Sequence, residues 1–67
     1  MMFIVETGDY HRRILARGAA SAVVKAFKQS APKRPGILTR VHMYQRCFFY
    51  VDTVHFLRKA GYKVGKR

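Results

Sequence analysis

The chain has 67 residues, of which 14 are Lys or Arg and three are acidic, for a formal charge of +11 and a pI near 10.8. That length holds one domain, and a chain that is 49% hydrophobic and 13% aromatic is too apolar for intrinsic disorder. Cys47 is the only cysteine, which excludes an internal disulfide framework and fits a reducing cytosol.

A chain this short buries about 60% of its unfolded surface, so packing, oligomerisation or a partner must supply the rest of its stability. A charge of +11 opposes compaction. A polyanion relieves that repulsion, and releasing counterions from phosphates drives the association. No apolar run approaches the length of a membrane span, and the opening MMFIVETGD lacks the basic region and apolar core of a signal peptide. The expectation is a cytoplasmic, unprocessed protein with no membrane association.

Met2 to Thr7 carries the strand formers Phe3, Ile4 and Val5. Gly8-Asp9 then interrupts, and Gly at the first position of a two-residue loop suits a type II′ hairpin turn. Tyr10 to Arg17 pairs back, with Thr7 opposite Tyr10, Val5 opposite Arg12 and Phe3 opposite Ile14. One face then shows Phe3, Val5, Tyr10, Ile14 and Ala16 and is the core face. The other shows Met2, Ile4, Glu6, His11, Arg13, Leu15 and Arg17. A helix capped by Asp9 and running through Arg17 is the rival reading. The hairpin is preferred because it gives the first strand a partner.

Gly18 breaks the pattern. Ala19, Ala22, Val23, Ala26 and Phe27 then recur as one apolar helical stripe, with Lys25, Lys28 and Gln29 on the wet side. Residues 30–36, SAPKRPG, cannot continue the helix and form a loop. Ile37 to Tyr44 alternates as a strand. A two-residue turn at Gln45-Arg46 sets Met43 opposite Phe48 and Val41 opposite Tyr50, and these with Ile37 form the core face. Leu38, Arg40, His42, Tyr44, Cys47, Phe49 and Val51 take the other. Gln-Arg is poor turn chemistry, and a slip of one residue swaps the faces.

Asp52 and Thr53 are N-cap types for a helix over about Val54 to Ala60. Val54 and Leu57 point inward, with Phe56 or Ala60 beside them. Arg58 and Lys59 sit where the helix dipole favours cations, and Gly61 suits the C′ position. The two halves, 2–29 and 37–61, each read ββα and are joined by the loop 30–36. Residues 1–62 make the domain and 63–67 a basic tail. The expected fold is α+β: a ββαββα pseudo-repeat with a four-stranded, mostly antiparallel sheet and both helices on one face. The hairpins join edge to edge within one chain or across a homodimer.

His11, His42, His55 and Cys47 show no CxxC, HxxxH or HExxH spacing, so no metal site is expected. Cys47 has no local nucleophile signature. Asp9 and Asp52 have turn and cap roles, which leaves too few acids for a metal-dependent nuclease. The chain is read as a non-enzyme without cofactors.

The positive expectation is a binding surface. The open sheet face carries His11, Arg13, Arg17, Arg40, His42, Tyr44 and Phe49, in which cations track phosphates and rings stack on bases. An apolar dimer contact on Leu38, Phe49, Val51 and Ile4 competes for the same face. A second basic set lies off the sheet: Lys33 and Arg34 in the loop, Arg58 and Lys59 ending the last helix, and Lys63, Lys66 and Arg67 in the tail. Such arms hold a nucleic-acid backbone without reading sequence. The expected partner is RNA or DNA, and the function that of a small accessory or regulatory protein. The alternative is an inhibitor or assembly factor that docks on an acidic protein.

Overall fold

Two hairpins build the sheet, and the two helices that follow them cover one of its faces. The computed structural model describes residues 1–43 and 48–64. Strands β1 (Met2–Thr7) and β2 (Tyr10–Leu15) form the first hairpin and lead into helix α1 (Ala19–Gln29). Strands β3 (Leu38–Met43) and β4 (Phe48–Asp52) form the second and lead into helix α2 (Thr53–Lys59). The sheet order is β2-β1-β3-β4 with every neighbouring pair antiparallel, so the hairpins join through β1 and β3 within a single chain. This is the expected ββαββα arrangement of a small α+β domain. Among the described residues no helix is long and apolar enough to cross a membrane.

The first hairpin has the register expected from its sequence, with Thr7 opposite Tyr10, Val5 opposite Arg12 and Phe3 opposite Ile14. Gly8 adopts φ +57°, the positive value that a tight hairpin turn needs at this position. Gly8 also makes room for the loop that follows α1. A Cβ here would lie 1.7 Å from the Arg34 carbonyl oxygen. The loop is tied to the hairpin through Thr7, whose Oγ1 accepts from the Gly36 N–H at 2.7 Å and donates to the Leu38 carbonyl at 3.2 Å.

Helix α1 buries the predicted stripe: Ala22, Val23, Ala26 and Phe27 are inaccessible, and Ala19 packs at its margin. The alanines bring the helix backbone close to the sheet, and Phe27 fills the centre against the Tyr10 ring, 5.7 Å away and nearly perpendicular. The last carbonyls of a helix have no partner within it. Here the Tyr62 hydroxyl donates to the Phe27 carbonyl at 2.6 Å, and the Ala26 carbonyl accepts from both the Ser30 N–H at 3.1 Å and the Tyr10 hydroxyl at 2.8 Å. Arg12 reaches the same end and donates to Ser30 and Gln29. Packing on the core therefore continues through Tyr62 to Val64.

The second hairpin departs from expectation by one residue. Val41 lies opposite Phe49 and Thr39 opposite Val51, in place of Met43 with Phe48 and Val41 with Tyr50. His42 pairs with Phe48, so an odd number of residues, 43–47, separates that pair. The expected Gln45-Arg46 turn lies outside the described residues, and neither side chain is suited to the positive φ that a two-residue turn needs. The far end of the hairpin holds the observed register: Thr39 and Thr53 are fully buried and share a hydroxyl hydrogen bond of 2.6 Å. Because side chains alternate, the shift turns β4 over. Phe49 and Val51 belong to the helix side of the sheet, and Phe48 and Tyr50 to the open side.

Two smaller expectations are corrected with it. Ile37 is 87% exposed and precedes β3, and buried Thr39 sits on the core face. Helix α2 begins at Thr53, so Thr53 and Leu57 are buried, Phe56 and Ala60 pack beside them, and Val54 faces solvent. Its ends follow the predicted chemistry. The Asp52 carboxylate accepts from the His55 N–H at 3.2 Å. Beyond Ala60, Gly61 has φ +103°, its N–H bonds the Arg58 carbonyl and the Tyr62 N–H bonds the Leu57 carbonyl, which is a Schellman ending.

Candidate nucleic-acid interface

The face of the sheet away from the helices is built by alternation in all four strands. Register places Met2, Ile4 and Glu6 of β1 beside Leu15, Arg13 and His11 of β2. It places Ile4 and Glu6 beside His42 and Arg40 of β3, and these beside Phe48 and Tyr50 of β4. Two rows cross the sheet: His11, Glu6, Arg40, Tyr50 in one and Arg13, Ile4, His42, Phe48 in the other.

Glu6 is the electrostatic centre of this face. Its Oε2 lies 3.2 Å from His11 Nε2, and its Oε1 lies 3.5 Å from both Arg40 Nη1 and His42 Nε2. One carboxylate thus serves a guanidinium and two imidazoles, and it cannot saturate them. Arg40 Nε and His42 Nε2 are shielded from solvent and have no hydrogen-bond partner among the described residues. The imidazoles approach different oxygens of the carboxylate. Among the described residues no group of three or more His, Cys, Asp or Glu side chains is arranged to hold a metal ion.

The aromatic half of the face lies on β4. The Arg40 guanidinium carbon stands 4.5 Å from the centroid of the Phe48 ring, and the His42 ring is 5.7 Å from it. At this distance the guanidinium is attracted to the ring face. Phe48 and Tyr50 nevertheless remain 51% and 63% exposed. Exposed Met2, Leu15 and Leu38 complete the apolar component of the same face.

The residues expected in the interface fall into separate groups. Arg13, Arg40 and His42 come together on the open face, and Arg17 lies exposed just past β2. Phe49 is on the helix side, and Phe48 and Tyr50 present the rings on the open side. Lys33 and Arg34 line a cleft of about 350 Å³ with Asp9, Tyr10, Ser30 and Ala31, which shares no residue with the open face. Arg58 and Lys59 end α2 in the helical layer, where Lys59 Nζ lies 5.9 Å from the Phe56 ring centroid, and Lys63 follows in the exposed segment after Gly61. Tyr44, Cys47, Lys66 and Arg67 lie outside the described residues.

Sequence reasoning missed Glu6, Phe48 and Tyr50. The pairing of Glu6 with His11 was legible from the first hairpin, but its contacts with Arg40 and His42 depend on β1 lying beside β3. Phe48 and Tyr50 were legible only once the second turn was counted as odd. Comparison with protein-family models, with curated proteins and with solved structures finds no match to this chain.

Proposed function

We propose that this chain is a small nucleic-acid-binding accessory or regulatory protein. It holds single strands on the open sheet face, mainly through their phosphates and without catalysis. The observation that carries the reading is that exposed Phe48 and Tyr50 share one face with Arg40, which lies over Phe48, and with Arg13 across the sheet on β2. Side chains two residues apart on a strand stand about 6.8 Å apart, so each ring can take its own base. Bases become available for such stacking only where they are unpaired, which favours single strands over a duplex. The charge of +11 supplies the sequence-independent attraction to the backbone.

An acidic protein is the competing partner, favoured by Lys33, Arg34, Arg58 and Lys59, which lie away from the aromatic face. Anisotropy with labelled random-sequence oligonucleotides at low salt separates the two. Binding should favour single strands and weaken with salt. Phe48→Ala with Tyr50→Ala should lose about 1–3 kcal/mol per stacked base. If a large excess of single-stranded RNA and DNA leaves the protein unbound in dilute buffer, the reading is wrong.

A further inference from the structure

The sheet has two edges, and they differ in chemistry. The β2 edge carries His11, Arg12 and Arg13. Two copies meeting there would set like charges opposite one another, a standard way to keep an edge strand unpaired. The β4 edge, Phe48–Asp52, has no Lys, Arg, His or Pro, and Asp52 is its only charge. Its pairing with β3 runs from Leu38–Asp52 to His42–Phe48 without a bulge. Among the described residues it pairs with β3 alone. Phe48 and Tyr50 are exposed on one face of it and Phe49, at 47%, on the other.

We infer that β4 is a self-association edge: two copies pair β4 with β4 in antiparallel fashion about a two-fold axis near Tyr50, giving a continuous eight-stranded sheet. The occupant is a second copy of this chain because of charge. At +11, two copies repel over most of their surface, and β4 is the exposed strand along which no cation meets a cation. A two-fold axis also makes the contact self-complementary and closed, so pairing stops at the dimer. It sets Phe49 opposite Val51 of the second copy on the helix side, with the two Phe49 side chains on the diagonal. On the open side it brings the Phe48 and Tyr50 rings of both copies to the middle of a platform flanked by cations.

The charge argument gives the dimer a distinctive salt response. Screening shortens the reach of the repulsion to about 8 Å at physiological ionic strength. Dimerisation therefore strengthens as salt is added, opposite to a phosphate contact.

The test is sedimentation velocity on nuclease-treated protein across a concentration series at low and high salt. The expected result is a species of twice 7.8 kDa whose population grows with salt. Phe49→Lys puts a cation on the helix side of the edge and leaves Phe48 and Tyr50 in place. It should weaken the dimer by up to about fivefold, the effect of an unfavourable cross-strand pair. Far-UV circular dichroism should stay unchanged in that variant. In the wild type, amide exchange of residues 48–51 should slow as protein concentration rises. A monomer at every concentration and salt overturns the inference, as does a dimer that Phe49→Lys leaves intact or that salt dissociates. Concentration-independent exchange in β4 also overturns it, and this readout does not depend on how the variant folds.

Discussion

Glu6→Gln is expected to tighten nucleic-acid binding although it removes the carboxylate that Arg40, His11 and His42 approach. The carboxylate lies 3.2–3.5 Å from His11, Arg40 and His42 and occupies the position from which a phosphate would compete for them. A phosphate bound on the outer side of Arg40 sits roughly 6 Å from the Glu6 carboxylate. At an effective dielectric of about 40–80 for so open a face, that like-charge repulsion is about 0.7–1.4 kcal/mol, or roughly 3- to 10-fold in affinity. Glutamine keeps the shape and an acceptor, and Arg40 stays in place over Phe48. The variant should lose some stability, because a partly exposed ion pair such as that with Arg40 is worth about 0.2–1 kcal/mol and the chain gains further positive charge. The assay is anisotropy with a single-stranded oligonucleotide, repeated over a salt series, alongside urea unfolding. The gain should be largest at low salt and shrink as salt screens it. Weaker binding by a Glu6→Gln protein that remains folded would refute the view of Glu6 as an internal competitor for phosphate.

Arg13→Ala with Arg40→Ala should weaken binding more than Lys66→Ala with Arg67→Ala, and equal losses in anisotropy would mean that the sheet face is not the site. Each phosphate contact removed should lower the slope of log affinity against log salt by about 0.7 for a single strand. Gly8→Ala should cost about 2–4 kcal/mol in urea unfolding, because positive φ penalises a Cβ and the loop must also move off Thr7. Gly36→Ala, where an added Cβ would meet nothing closer than 3.5 Å, is the control that should be tolerated. Thr39→Val should cost about 1–3 kcal/mol by stranding the buried Thr53 hydroxyl, and adding Thr53→Val should recover part of that loss. A strictly additive double variant would mean that the two hydroxyls are not coupled.

The sequence by itself determined the elements and most of the core. Alternation in Met2–Leu15 with Gly8 at the turn, the stripe of Ala22, Val23, Ala26 and Phe27, and the Asp52 and Gly61 boundaries of α2 are local chemistry. Each is specified by residues a few positions apart, so each is legible without knowing the fold. The tertiary structure decided two things. The first is the join between β1 and β3, which places Glu6 beside Arg40 and His42 across 34 or more residues of chain. Antiparallel edges pair through a backbone pattern common to all strands, so alternation alone does not choose a partner. The second is the face of β4. One residue in a turn decides between Phe49 and the pair Phe48 and Tyr50, and the turn carries no Gly or Asn to fix its length. At the opposite end of the hairpin, the buried hydroxyl bond between Thr39 of β3 and Thr53 of α2 belongs to the packing of helix on sheet.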